Sequence, residues 1–159
     1  MGDQKPKDEH AGHASLVEET RDEHAGCLKL LTELEACLDR PAGESERWLS
    51  ELRAKLGELD TAMRRHFEGE EAGPVFRELP QRHPRLAAPL GKLEAEHREM
   101  LEQMESVQRK ADALDVPTDY ELRELNARVQ LLVARIRRHE AAENELVIQA
   151  HWDEIGVGD

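Results

Sequence analysis

Aromatic residues make up only 3% of this 159-residue chain, and runs of alternating Val, Ile, Thr and Tyr are almost absent. Because such residues dominate β-strands, a sheet-based fold is excluded. Ala, Leu, Glu and Arg are frequent instead, and the charged residues, 36% of the total, are interleaved with the apolar ones. This mixture favours helices, and the length suits one domain with its own core. The expected fold class is therefore all-α.

Long apolar runs are also missing. No stretch of about 18 apolar residues exists, so we expect no membrane span. The N-terminal MGDQKPKDEH lacks the apolar segment of a secretory signal. The two cysteines, Cys27 and Cys37, lie about 15 Å apart along one predicted helix and cannot pair with each other. We expect free thiols and a cytoplasmic location.

Basic residues are scarce relative to acidic ones. The chain has 22 Lys and Arg against 35 Asp and Glu, giving a net charge of −13. Phosphate binding needs a basic surface, so nucleic acid is not an expected partner, and an anionic membrane surface is disfavoured for the same reason.

Proline and glycine are concentrated at breaks that divide the chain into four amphipathic segments, at Arg40–Gly43, near Gly73–Pro74 and at Asp115–Pro117. The predicted helices start after the capping box Ser15–Glu18, near Glu44, between Pro84 and Pro89, and after the capping box Thr118–Glu121. Short connections between such helices favour an up-down-up-down four-helix bundle. We place this bundle at residues 15–150, with a polar N-terminal tail at 1–14 and a C-terminal tail at 151–159.

The pattern R-R-H-x-x-x-E occurs twice, at Arg64–Glu70 and at Arg137–Glu143. In each case an earlier Glu-His pair lies 42 residues before the histidine of the motif, at His24 and at His97. The chain therefore contains one arrangement of residues twice, and each copy has two histidines and one glutamate.

These polar residues interrupt the apolar stripe of each predicted helix. They are His24 on the first helix, His66 and Glu70 on the second, His97 on the third, and His139 and Glu143 on the fourth. In an antiparallel bundle, at about 1.5 Å per residue, the four histidines fall within about two turns of one level. We expect all six side chains to point into the interior there.

Such a layer is typical of a metal site. A buried carboxylate costs several kcal/mol unless it is paired or bound to metal. A glutamate four residues after a histidine lies on the same helix face and can bridge to a second metal. Mixed imidazole and carboxylate ligands suit iron, and also manganese or zinc. The alternative is a metal-free network in which the histidines donate hydrogen bonds to the glutamates.

Glutamates beside these positions are expected either to accept a hydrogen bond from an imidazole or to lie in solvent. They are Glu23, Glu68, Glu71, Glu96 and Glu140. Apolar neighbours are expected to line the cavity and exclude water, namely Met63, Phe67, Met100, Leu101 and Met104.

The combination resembles the hemerythrin family, specifically its HHE cation-binding domains, over roughly residues 15–150. The resemblance is carried by His24, H-F-x-x-E at His66–Glu70, Glu96-His97, and H-x-x-x-E at His139–Glu143. It implies a left-turning four-helix bundle around a non-haem centre of two iron ions with an oxo or hydroxo bridge. It also implies that Glu70 and Glu143 are the bridging carboxylates.

One departure from oxygen-carrying hemerythrins is informative. Those proteins have H-x-x-x-H on the third helix, whereas here Leu101 stands four residues after His97. Two histidines, two bridging glutamates and a solvent bridge would give each iron five ligands and one open position. We therefore expect binding of, or reaction with, dioxygen, peroxide or nitric oxide rather than simple oxygen storage.

Several functions remain open at this point. The chain could be a peroxidase-like or catalase-like enzyme, an iron-handling or iron-sensing protein, or a metal-free helical interaction module. The C-terminal segment Ile155–Asp159 is a candidate docking peptide for a protein partner.

Overall fold

The computed structural model describes the main chain of residues 9–40 and 45–156, and the side chains of residues 22, 24–40 and 46–153. This part of the chain is helical and contains no strand. In chain order the helices are α1 (Glu9–Asp39), α2 (Ser45–Ala72), α3 (Pro74–Arg77), α4 (Leu79–Arg82), a 3₁₀ turn (Pro84–Leu86), α5 (Ala87–Ala113) and α6 (Asp119–Gly156). The four long helices are thus α1, α2, α5 and α6.

The predicted breaks mostly coincide with helix ends. α1 ends before Pro41 and α2 ends before Gly73, while α6 follows the capping box at Thr118. In that box the Glu121 N–H donates to Thr118 Oγ1 (3.2 Å) and the Thr118 N–H donates to Glu121 Oε2 (2.8 Å). Two orphan donors of the first turn are satisfied in this way.

Two predicted ends are wrong. α1 begins at Glu9, upstream of the predicted cap at Ser15, because serine is compatible with a helix interior as well as with a cap, and no proline between Pro6 and Pro41 forces a break. α6 extends to Gly156, into the segment 151–159 that was expected to be a tail, and the Asp153 carboxylate pairs there with Arg85 of the 3₁₀ turn. Residues 157–159, most of the candidate docking peptide, lie outside the described residues, so that role stays a prediction.

The long helices pack in cyclic order: α1 on α2, α2 on α5, α5 on α6, and α6 on α1. Their apolar faces form two separate clusters. The larger one includes Leu31, Leu56, Met63, Met104 and Ile136, and the smaller one consists of Phe76, Leu86, Leu90, Leu93 and Ala150 with partly buried neighbours. A layer of histidines and glutamates lies between the two clusters, since the apolar stripes of α5 and α6 pass from one cluster to the other through it.

The segment between α2 and α5 covers the smaller cluster. Gly73 N–H bonds back to the Glu70 carbonyl at 2.9 Å, and a Cβ at Gly73 would lie 3.1 Å from the Gly69 carbonyl oxygen. Glycine therefore permits the chain to turn tightly right after Glu70. The turn brings Phe76 and Leu86 over the end of the interior.

None of the described helices combines the length and the apolar character that crossing a bilayer requires.

Candidate metal centre

All six predicted ligand positions lie in the polar layer. His66, Glu70, His97, His139 and Glu143 are buried, and His24 is partly buried. They come from all four long helices, and each continues the apolar stripe of its helix. On α5, for example, His97 stands between buried Leu93 and Met100. The helical period therefore aims these polar side chains at the core.

The first of two clusters lies between α1, α2 and α6. It contains His24, His66, Glu70 and Glu140, whose donor atoms all lie within 4.8 Å of one another. His66 Nε2 is 2.7 Å from Glu70 Oε1 and 3.3 Å from Glu140 Oε1. His24 Nδ1 is 2.7 Å from Glu140 Oε2.

The second cluster lies between α2, α5 and α6. It contains Glu70, His97, His139 and Glu143, again with donor atoms within 4.8 Å. His97 Nε2 is 3.0 Å from His139 Nε2 and 3.4 Å from Glu70 Oε2. Glu143 Oε2 is 3.9 Å from His139 Nε2. Glu70 is the residue that both clusters share, as a bridging carboxylate would be, whereas Glu143 belongs to the second cluster alone.

Glu140 lies deeper than the sequence indicated. It was expected to contact an imidazole from outside or to lie in solvent, because residue i+1 points about 100° away from the ligand face. Its side chain is instead only 7% exposed and contacts both His24 and His66. α6 packs against both α1 and α5, so two neighbouring faces of one helix point inward. The centre therefore has three carboxylates.

Two further glutamates support the histidines from outside. Glu71 Oε1 is 2.9 Å from His97 Nδ1, and Glu96 Oε2 is 3.0 Å from His139 Nδ1. The prediction of outer hydrogen bonds thus holds for these two residues. Glu68 is exposed, and the Glu23 side chain lies outside the described residues.

Aromatic rings close the second cluster. Phe67 stacks on His97 with ring centroids 4.1 Å apart and planes 5° apart. Phe76 meets the same imidazole edge-on at 5.4 Å. Phe67 was expected to line the cavity, whereas Phe76 was not, because its place depends on the turn at Gly73. Both rings are buried and keep water from His97.

Comparison with family models gives one decisive result: residues 15–150 match the hemerythrin HHE cation-binding domain. The chain belongs to the hemerythrin HHE family. The match covers most of the chain and contains all the residues of the polar layer. Comparison with curated proteins and with solved structures finds no match.

The donor set fits the cation binding for which this family is described. Four imidazoles and three carboxylates supply the nitrogen and oxygen ligands that iron, manganese and zinc accept. Glu143 Oε2 and His66 Nδ1 are buried and have no hydrogen-bond partner. Orphaned polar atoms of this kind are rare in folded proteins and call for an explanation. A cation bound beside Glu143 Oε2 would explain why that oxygen has no hydrogen-bond partner.

Burial and charges within the polar layer strongly shift the pKa values of its residues. Burial disfavours a charged His66 imidazole, but hydrogen bonds to Glu140 and Glu70 outweigh it and raise the pKa of His66 to about 10. Burial would raise the pKa of Glu140, yet hydrogen bonds from His24 and His66 lower it to about 2. Burial, and then the charges of Glu70 and Glu140, raise the pKa of Glu143 to about 9. Without metal at neutral pH, His66 and Glu143 therefore hold protons where a cation would bind.

Proposed function

We propose that the chain holds two iron ions between its long helices and that dioxygen, peroxide or nitric oxide binds or reacts there. One ion would be held by His24, His66, Glu140 and the shared Glu70. The other would be held by His97, His139, Glu143 and Glu70. Membership in a cation-binding family and the two four-residue clusters support this proposal. The cyclic packing of α1, α2, α5 and α6 supports an up-down-up-down four-helix bundle as its scaffold.

The observation that carries the proposal is the contact between two imidazole nitrogens. His97 Nε2 and His139 Nε2 face each other at 3.0 Å, while the Nδ1 atom of each ring meets a glutamate. A carboxylate at Nδ1 fixes the hydrogen there, so both Nε2 atoms carry lone pairs. Two lone pairs at this distance repel unless a proton or a cation lies between them. A metal ion satisfies both nitrogens together with Glu70 and Glu143.

Bound iron would supply a redox-active ion that can coordinate a small oxygen- or nitrogen-containing molecule. The chain's own residues orient the ligand imidazoles, neutralise part of the positive charge and exclude water. Glu71 and Glu96 orient two imidazoles, and three inner carboxylates would offset part of the charge of two cations. Phe67 and Phe76 shield His97. The free thiols of Cys27 and Cys37 support a reducing compartment such as the cytoplasm.

The test is the amount of iron per chain, measured by plasma mass spectrometry on protein produced with added iron. We expect two irons per chain in the wild type and a clear loss in His66→Ala and Glu143→Ala. Glu68→Ala, which changes an exposed glutamate of α2 near the centre, is the matched control and should retain both. A folded wild type that binds no iron, manganese or zinc would contradict the proposal.

Reaction with small molecules is tested on the loaded protein. Added nitric oxide, peroxide or dioxygen should change its visible absorption, and sustained peroxide consumption would identify an enzyme. Unchanged spectra with all three would leave metal binding without this chemistry.

A second function, iron handling, is favoured by the position of His24. Its side chain is 34% exposed, whereas the other three imidazoles are at most 2% exposed. An exposed ligand suits metal that enters and leaves. Release of iron to a chelator within minutes, with the helices intact by circular dichroism, would support this alternative over a permanent centre.

A further inference from the structure

The two clusters differ in how well water is excluded from their histidines. His97 and His139 have side chains that are 2% and 0% exposed, and Phe67 and Phe76 pack around the His97 ring. The first cluster includes His24, whose side chain is 34% exposed and which is the ligand position that α1 provides. Removing water strengthens electrostatic attraction between a cation and its ligands. The second cluster is therefore the better protected position.

The clusters also differ in how their imidazoles are held. Both histidines of the second cluster have a carboxylate at Nδ1, from Glu71 and Glu96 at 2.9 and 3.0 Å. These contacts leave Nε2 of each ring directed at the centre. In the first cluster, His66 Nδ1 is buried without a hydrogen-bond partner. His24 turns its Nδ1 atom to the inner carboxylate of Glu140. No comparable outer carboxylate contacts these two rings among the described residues.

We propose that the two metal positions are unequal, with a tight position at His97 and His139 and an exchangeable one at His24 and His66. This inference rests on the proposed two-metal centre and adds an order of loading. The first ion occupies the position that Glu71 and Glu96 organise. The second ion enters and leaves at the side where His24 meets solvent. Glu71 and Glu96 are positioning residues, and His24 is the exchange ligand.

The test is a titration of metal-free protein with Co²⁺ in the absence of dioxygen, in which binding is monitored by calorimetry and by visible absorption. The wild type should bind two ions in two resolved steps. His24→Ala should bind one ion with the affinity of the tighter wild-type step. Glu71→Ala and Glu96→Ala should each weaken the tighter step by about 10–100-fold, the usual effect of removing an outer partner of a ligand histidine.

Glu68→Ala is the matched control, because Glu68 is an exposed glutamate on the same helix as Glu71. It should leave both steps unchanged. Alanine is a strong helix former and Glu71 is partly exposed, so these variants should fold, which circular dichroism and thermal unfolding would verify.

Three outcomes would overturn the inference. They are two indistinguishable steps in the wild type, loss of both ions in folded His24→Ala, and an unchanged tighter step in Glu71→Ala and Glu96→Ala. The proposed function fails differently, since it requires that wild-type protein bind metal at all. Two equal sites would therefore reject the loading order and leave the centre itself in place.

Discussion

At the scale of single residues, Phe67 joins the larger apolar cluster to the polar layer. It is buried within that cluster and lies flat on the His97 ring at 4.1 Å. Stacking of this kind contributes beyond area burial, and it also holds the imidazole plane in place. One side chain thus connects packing energy with the geometry of the centre.

We expect Phe67→Ala to lower the free energy of unfolding by about 3–5 kcal/mol, as is usual when a buried aromatic ring is removed. Phe67→Leu keeps most of the apolar volume but not the stacking, and it should cost less, about 1 kcal/mol. Urea denaturation of the metal-free proteins measures both values. No measurable loss in Phe67→Leu would contradict a ring-specific contribution.

Metal binding should release protons at pH 7. The pKa of His66 is raised to about 10 because its bonds to Glu140 and Glu70 outweigh burial, and the pKa of Glu143 is raised to about 9 by burial and the nearby carboxylates. Each residue must lose its proton before it can ligate. Filling both sites should therefore release about two protons per chain from these two residues, and affinity should rise with pH.

Calorimetric titration of Co²⁺ in buffers with different ionisation enthalpies measures this release. Glu143→Gln should lower it by about one proton. Release near zero in the wild type would contradict the assignment of these two protons.

The inward position of the six predicted residues followed from sequence because helical spacing fixes which face a side chain occupies. Their role as metal ligands stays a prediction until metal is measured. Glu140 and Phe76 could not be placed by the same reasoning. Glu140 points inward because α6 contacts two other long helices, and Phe76 arrives through the turn at Gly73. Both positions depend on tertiary packing, which helical periodicity does not encode.

At the scale of whole helices, the end of α5 depends on a side chain from another helix. Arg53 of α2 donates from Nε and Nη2 to the Ala111 carbonyl, at 3.0 and 2.6 Å, and from Nη2 to the Leu114 carbonyl at 2.7 Å. The last carbonyls of a helix lack partners within it and carry the negative end of its dipole. Arg53 therefore satisfies the C-terminus of α5 and ties it to α2.

We expect Arg53→Ala to lower the free energy of unfolding by about 1.5–3 kcal/mol, the range for hydrogen bonds that involve a charged group. Arg53→Lys keeps the charge but not the planar fork, so it should recover only part of the loss. Urea denaturation measures all three proteins. Full recovery by lysine would show that charge alone supports this helix end.

Helix ends differ in how well the sequence predicts them. Breaks with proline, glycine or a capping box were located well, as at Pro41, Gly73 and Thr118, because these residues act on the backbone itself. The start of α1 was misplaced because Ser15 is compatible with both a cap and a helix interior. The extension of α6 to Gly156 accompanies the pairing of Asp153 with Arg85, a contact distant in sequence.

At the scale of the whole molecule, the polar layer makes folding dependent on protonation. Its carboxylates and imidazoles are enclosed between two apolar clusters in a chain with net charge −13. In the unfolded chain, Glu143 and His66 lose their protons near their ordinary pKa values of 4.5 and 6.5. In the folded metal-free chain they keep them until about pH 9 and 10. Above pH 6.5 the folded state therefore binds more protons than the unfolded state.

The sign of the effect follows from this difference. A state that binds more protons is favoured at low pH, so the free energy of unfolding of metal-free protein should fall as pH rises from 7 to 9. Each proton retained only in the folded state contributes a decrease of about 1.4 kcal/mol per pH unit.

Urea denaturation of chelator-treated protein at pH 7, 8 and 9 measures the slope of stability against pH. Glu143→Gln removes one of the two groups and should make it shallower, whereas Glu68→Gln, at an exposed position, should not change it. Stability that rises with pH over this range would mean that the layer holds no such protons, and that the repulsion between its inner carboxylates is relieved in another way.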